Sequence, residues 1–389
     1  MKIRVGVIFG GASVEHEVSI ISALQAISNL NKDKYDVVPI YISKEKAFYT
    51  GNNLLDINNY KDLDNLIKNA KEISIVKIKN EFALISTKKL FNKVIDKIDI
   101  ALPIVHGKNV EDGTLAGYLE TLGIPYANSG VLGSALGQDK VVLKQVLKSA
   151  NINVVDYISF YDFEYELNEE KYKKQIDELG YPVVVKPSNL GSSVGIKFVK
   201  NKKEISDAIN DAIKYDKKIL IEKAVENLKE VNCSVIGNYK IQTTSLIEEV
   251  LSDNEILTYK DKYIGNKKTK GSKGMVNASR IIPANISKEL ESKVETLSKE
   301  TFKALNLSGI CRIDFLIDEK SNKVYVNEPN VIPGSLSFYL WEGKGKKYSE
   351  LLDDLLTIAI KEYKGKNNKT TQFDTNILSN FNGIKSIKK

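Results

Sequence analysis

At 389 residues the chain is too long for one simple core and has room for two or three domains. Its 42% hydrophobic and 28% charged content is that of a soluble globular protein, and no stretch approaches the roughly 20 apolar residues that span a bilayer. The formal charge of +7 is spread over lysines with acids between them, with no basic block interleaved with aromatics. That argues against nucleic acid as a partner and for a small anionic ligand.

Ile3 to Phe9 reads as a buried strand, and this N-terminal apolar run is too short for a signal peptide, so a cytoplasmic location is expected. Gly10-Gly11 breaks the strand. Val18 to Leu30 then has helical apolar spacing (Val18, Ile21, Leu24, Ile27), and Val37 to Ile42 reads as a second strand. This order opens a parallel α/β sheet, which binds ligands at the carboxyl ends of its strands. The loop GGASVEHEVS (10–19) lies at such an end, but it is neither GxGxxG nor a P-loop. Residues 50–98 are rich in Lys and Asn, with weak strand patterns, and are expected to be peripheral. Ile98 to Val105 is another buried strand ending at HGKNVEDGT, where Asp112-Gly113 starts a helix carrying Leu115, Leu119 and Leu122. The first domain is expected over 1–139.

Lys140 to Ala150 is an amphipathic helix, and Val183 to Lys186 is a buried strand that exits into PSNLGSSVG. A helix over Lys203–Lys214 and a strand over Ile219–Glu222 complete a second unit, 140–223. Strands over Val231–Ile236 and Lys240–Val250 follow, then a long loop, 251–277, rich in Lys, Gly and Thr. Loops of that length are functional or disordered. Helices Ser287–Ala304 and Tyr348–Tyr363 flank a strand pair, and a polar tail closes the third unit, 224–389. Cys233 and Cys311 lie in apolar runs without metal or disulfide spacing and read as buried thiols.

The strand pair within Gly309–Trp341 is the chemical centre of the chain. Alternate strand residues share a face, so Arg312 and Asp314 point one way on the first strand, and Glu328 and Asn330 share a face on the second. Two carboxylates and an amide suit Mg²⁺ beside phosphate oxygens, and Arg312 suits a phosphate or an oxyanion; the alternative is a solvated face with a salt bridge. GSSVG (191–195) is either a phosphate cradle or an ordinary hairpin turn. Lys186, ending an apolar strand, either snorkels to solvent or meets an anion. Lys140, opening a helix, is a weaker candidate of the same kind. Glu222-Lys223 before Ala224-Val225 suits a hinge against a flat base, or an edge-strand salt bridge. Both histidines of the chain, His16 and His106, fall in loops after strands of one sheet, and Glu15 and Glu17 beside His16 suit an ammonium group.

These segments resemble the D-alanine–D-alanine ligase family of the ATP-grasp superfamily. The resemblance rests on GGASVEHEVS (10–19), HGKNVEDGTLAGYLETLGIPYANSGVLGSALGQDK (106–140), VVVKPSNLGSSVG (183–195), ILIEK (219–223), YKDKY (259–263), KGMVNASRIIPA (273–284) and RIDF…NEPNVIPG (312–334), in family order over nearly the whole chain. It implies a three-domain α/β ATP-grasp fold, with an N-terminal parallel-sheet domain and central and C-terminal α+β domains clasping ATP. It also implies a cytoplasmic homodimer that joins two D-alanines through an acyl phosphate for peptidoglycan synthesis.

By the same resemblance, Lys140 and Lys186 contact phosphates; Glu222, Lys223 and Val225 frame the adenine; and Glu230 takes the ribose. Asp314, Glu328 and Asn330 bind two Mg²⁺ or Mn²⁺ ions. Lys262 rides on a lid over 251–277. Glu15 holds the first amino acid's ammonium, with His106 beside the substrate, and Glu15, Ser192 and Tyr263 latch the lid. Arg312 and the Gly334 N–H face the oxyanion.

The chain departs from the family pattern in three places. The metal motif reads NEPN, and Pro329 removes an N–H and favours extended geometry at Glu328. Val331 replaces the usual Thr. In SLSFYLWE, Tyr339 and Leu340 stand where the family commonly has a Ser that helps hold the acceptor's carboxylate, leaving Ser335 or Ser337 as substitutes. Tyr263 resembles the D-alanine-adding members. Two alternatives to the D-alanyl-D-alanine reading are a ligase with another acceptor and a non-catalytic ATP-binding relative.

Overall fold

The computed structural model describes residues 2–87, 93–107, 109–191, 194–251 and 279–370. Sixteen strands form three sheets among these residues. The first sheet contains β1 (Ile3–Gly10), β2 (Tyr35–Ile42), β3 (Phe48–Thr50), β4 (Lys71–Ile78), β5 (Glu81–Ser86), β6 (Val94–Ile98) and β7 (Ile100–Ile104), in the order β6-β5-β4-β3-β2-β1-β7. Only β2-β1-β7 is parallel; β3 to β6 add on antiparallel. The sheet is therefore mixed rather than parallel. Residues 50–98 are not peripheral, because Leu66, Ile73, Ile75 and Leu84 bury fully against it. Their lysines and asparagines occupy the outer face, and this diluted the apolar signal.

The second sheet holds β8 (Tyr157–Tyr161), β9 (Val183–Pro187), β10 (Lys197–Val199) and β11 (Lys218–Lys223), all antiparallel, in the order β10-β9-β11-β8. It closes on its own core, which includes Phe160, Val185, Ile209 and Ile221. The third sheet holds β12 (Leu228–Gly237), β13 (Gln242–Leu251), β14 (Ser279–Ile281), β15 (Gly309–Asp318) and β16 (Lys323–Asn330), in the order β14-β13-β12-β15-β16. One continuous core joins the first sheet (Val7, Ile40, Leu102) to the third (Val231, Ile313, Val326) and to the helix Tyr348–Asn367. That helix runs past Tyr363, where sequence reading placed its end. At the seam, Gly309 has φ +75°, and a Cβ there would sit 2.6 Å from the Asn128 Cα, so the two sheets close only on glycine.

Candidate active site

The site begins as a row of polar side chains across the third sheet. In register, Glu248 of β13 pairs with Asn232 of β12, Asn232 with Asp314 of β15, and Asp314 with Glu328 of β16. The next row pairs Arg312 with Asn330. Because side chains alternate across a strand, all of these residues face one side. There they line a cavity of about 490 Å³ between the second and third sheets, into which the loops at the carboxyl ends of β1 and β7 also reach. Arg312 clamps Asp314 through two hydrogen bonds, Nε to Oδ1 at 2.8 Å and Nη2 to Oδ2 at 2.9 Å, and Asn330 Nδ2 donates to the same carboxylate at 3.1 Å.

The opposite wall carries lysines. Asp139 caps the helix Lys140–Ser149, accepting from the Val141 and Val142 N–H groups, and its other oxygen lies 2.5 Å from Lys218 Nζ. Burial raises the Asp139 pKa, but Lys218 and the Ser188 hydroxyl outweigh it and hold the carboxylate ionised. Lys140, opening that helix, reaches across the cleft to Glu328 at 3.1 Å and donates to the Leu190 carbonyl at 2.8 Å. Lys186, at the end of β9, lies 2.6 Å from Glu222 and 3.3 Å from the Asn327 amide oxygen. Glu222 is itself buried between Lys186 and Lys144, the latter at 2.5 Å. Burial alone would raise its pKa, yet the two ammonium groups pull it down to about 2. The Glu222 carboxylate therefore holds Lys186 and Lys144, while Glu222, which the resemblance sets at the adenine, lines the cavity. Lys223 donates to the Gly180 and Tyr181 carbonyls at 3.1 and 2.9 Å, and it lines the cavity with Val225 and Glu230.

At the third edge, Glu15 stands at the N-cap of the helix His16–Asn29, where the helix dipole favours a carboxylate. The glycines at 107 and 191 let the backbone come close to it. His106 lines the cavity beside it, donating from Nδ1 to the Ile332 carbonyl at 2.8 Å while Nε2 accepts from the Ser22 hydroxyl at 3.2 Å. Burial pushes its pKa down despite the charge of Glu15, so the imidazole is neutral. His16 does not join the site; it is fully buried between the Gly11 carbonyl (2.6 Å) and the Tyr41 hydroxyl (3.0 Å).

The loop after β16 brings Gly334 to the cavity and then turns away. Ser335, Leu336 and Ser337 have φ near +50°, an uncommon left-handed run without glycine. It is held by the Ser335 N–H on Ser22 Oγ at 2.9 Å, by Ser335 Oγ on Gln25 at 2.6 Å, and by burial of Leu336. The consequence corrects the sequence reading: Ser335, Ser337 and Leu340 are buried away from the cavity, whereas Tyr339 lines it. Tyr339 donates to Glu248 at 2.9 Å, and the Arg280 guanidinium lies 4.7 Å from its ring centre and 3.3 Å from Glu248.

Ser192, Lys262, Tyr263 and the lid beyond Leu251 lie outside the described residues. Sequence reading missed Lys144, Glu111, Asn232, Glu248 and Arg280 as site residues. Lys144 could have been found, since it follows Lys140 by one helical turn on the same face. Glu111 accepts from the Gly107 N–H at 2.6 Å, and burial with the repulsion of Glu15 pushes its pKa up to about 8. No sequence spacing ties Glu248 or Arg280 to Asp314, because only the strand register brings them together.

Among the described residues no three His, Cys, Asp or Glu form a metal cluster. Two carboxylates and the Asn330 amide nevertheless make the hard oxygen set that Mg²⁺ takes alongside phosphate oxygens, so the donors present fit the ion.

The profile described as "D-ala D-ala ligase N-terminus" matches residues 4–129, and "D-ala D-ala ligase C-terminus" matches 146–357. A D-alanine–D-alanine ligase from Thermosipho melanesiensis is 40% identical over 376 residues, covering 97% of this chain and 98% of its own. The structure of the D-alanine–D-alanine ligase from Coxiella burnetii superposes with a TM-score of 0.79 at 28% identity, covering 94% of this chain and 96% of its own. The VanG D-Ala:D-Ser ligase from Enterococcus faecalis superposes with a TM-score of 0.76 at 30% identity, covering 92% and 100%. Matched across both halves and over nearly its full length, this multi-domain ATP-grasp chain belongs to the D-alanine–D-alanine ligase family.

Proposed function

We propose that the cleft runs the family's reaction, the ATP-dependent joining of two D-alanines for peptidoglycan synthesis, with the residues above in specific roles. The observation that carries the assignment is the 3.1 Å bridge from Lys140 to Glu328 across the cleft, beside the Arg312–Asp314 clamp. It sets a phosphate-binding cation against carboxylates suited to a divalent ion.

In this reading Lys140 and Lys186 hold the triphosphate, Lys223 and Val225 border the adenine, and Glu230 takes the ribose. Asp314, Glu328 and Asn330 hold two Mg²⁺ or Mn²⁺ ions, which when bound neutralise phosphate charge. Glu15 binds the ammonium of the first D-alanine. That amino acid's carboxylate oxygen attacks the γ-phosphorus, the bond to the β,γ-bridging oxygen breaks, and ADP leaves. The neutral amine of the second D-alanine attacks the acyl phosphate carbon, and the tetrahedral intermediate expels phosphate, which carries off the proton the amine gives up. Arg312 and the Gly334 N–H face the oxygen that gains charge in that step, in a site where fixed donors are worth most. Lys262, Tyr263 and Ser192 are assigned to closing the site, since an acyl phosphate must be kept from water. The homodimer and the cytoplasmic location are carried over from the family resemblance.

Incubation with Mg-ATP and D-alanine, read by mass spectrometry, is expected to yield the dipeptide with one ADP per bond. ADP release only with a different second amino acid would favour another acceptor, the reading to which Tyr339 lends weight. No ADP release with any pair would favour a binding protein.

A further inference from the structure

Lys144 sits one turn after Lys140 on the helix Lys140–Ser149. It is 1% exposed and does not line the cleft that Lys140, Lys186 and Glu222 line. A lysine in such a place needs a reason. Taking an ammonium out of water is costly unless a carboxylate offsets it, and an apolar side chain of similar volume would fill the same space. The roles above give Lys144 no task.

Its partner is Glu222. Oε1 of that carboxylate lies 2.5 Å from Lys144 Nζ and Oε2 lies 2.6 Å from Lys186 Nζ, so each oxygen serves one ammonium. The Tyr157 ring, its centre 5.7 Å from Lys144 Nζ, adds an electron-rich face. Burial pulls the Lys144 pKa down, the Glu222 charge opposes it, and Lys186 adds to the fall, so the ammonium depends on that carboxylate. Two ammonium groups and one carboxylate leave a surplus of positive charge, whereas Lys140–Glu328 and Arg312–Asp314 are balanced pairs. The surplus matters to an anion. Without Lys144, Glu222 would turn its whole charge on Lys186, and a triphosphate would have to compete with it in a buried site where charges are poorly screened. With Lys144 in place, the carboxylate is already matched and Lys186 keeps its charge for the phosphates.

Resting on the nucleotide placement in the ligase reading above, we infer that Lys144 is a positioning residue for ATP: by offsetting Glu222 it keeps the Lys186 ammonium available to the triphosphate. It touches neither nucleotide nor amino acid and acts through Glu222. Its effect is therefore one of charge, confined to phosphate binding, and it vanishes when Glu222 loses its charge.

The test uses the full chain, with the Kd for Mg-ATP from calorimetry and the ATP and D-alanine KM values from ADP release. Lys144→Met is expected to raise the Kd and KM for ATP on the order of 10-fold, with the D-alanine KM values within about twofold of the unsubstituted chain. In a chain already carrying Glu222→Gln, adding Lys144→Met should change the ATP Kd by less than about twofold, because the charge it offset is gone. An unchanged ATP Kd in the single variant would overturn the assignment. So would the same loss in both backgrounds, or a parallel rise in the ATP and D-alanine KM values, which marks a structural role. If the Met variant does not fold, Lys144→Gln, which keeps a donor for Glu222 without the charge, is judged by the same criteria. If the unsubstituted chain neither binds Mg-ATP nor makes dipeptide, the ligase reading fails and this inference with it. Normal dipeptide synthesis with an indifferent Lys144 defeats this inference alone.

Discussion

Arg312 and Glu111 show how far one half-buried charge depends on its neighbours. Arg312 is oriented by two bonds to Asp314, so its guanidinium is placed before substrate arrives and needs no reorganisation as charge develops. Arg312→Ala is expected to lower turnover on the order of 10²- to 10³-fold, measured by ADP release, with the melting temperature showing that the fold is kept. Near-normal turnover would remove Arg312 from the mechanism. Glu111 gives a pH test without substrate. Its folded pKa, pushed up to about 8, lies above the ordinary 4.5, so folding favours the protonated form. The stability it contributes is complete below about 4.5 and lost as pH rises toward about 8. Glu111→Gln should therefore gain stability relative to the unsubstituted chain across that window, read as the difference between their melting temperatures. A constant difference would mean that Glu111 is ionised throughout.

Two elements carry the site, and they differ in how openly the sequence showed them. The pair β15–β16 was legible because strand alternation alone puts Arg312 with Asp314 and Glu328 with Asn330 on shared faces, and the observed register sets the four side by side. The helix Lys140–Ser149 was legible as an amphipathic run, but its anchoring was not. Asp139 caps it, takes the Ser188 hydroxyl at 2.7 Å and pairs with Lys218, binding the first turn to the second sheet. Asp139→Ala is expected to cost about 1–2 kcal/mol in urea unfolding for the cap. It should also raise the KM for ATP, because Lys140 opens that helix; an unchanged KM would separate Lys140 from the triphosphate. The turn at 335–337 was not legible at all. Its left-handed backbone is imposed by Ser22 and Gln25 from a helix more than 300 residues earlier in the chain, and this is what sends Leu340 into the core.

At the scale of the whole molecule, the second sheet has a separate core while the first and third share one. A nucleotide held by Lys186 on one side and Asp314 and Glu328 on the other would link two bodies that otherwise pack independently. Mg-ATP at about 100 times its Kd should therefore stabilise the chain by about 2.7 kcal/mol, seen as a rise in melting temperature. No shift at that concentration would mean that the folded chain does not bind Mg-ATP. The sequence by itself determined the opening strand–helix–strand, the strands and helices with strong apolar periodicity, the family motifs and the polar pairs that lie two residues apart, because those depend on local periodicity and covalent order. The tertiary structure alone decided the mixed first sheet, the Lys144–Glu222–Lys186 triad, and the meeting of Glu248, Tyr339 and Arg280. The physical reason is that register and burial join residues with no spacing in common, and a carboxylate's partners and ionisation follow from what surrounds it in space.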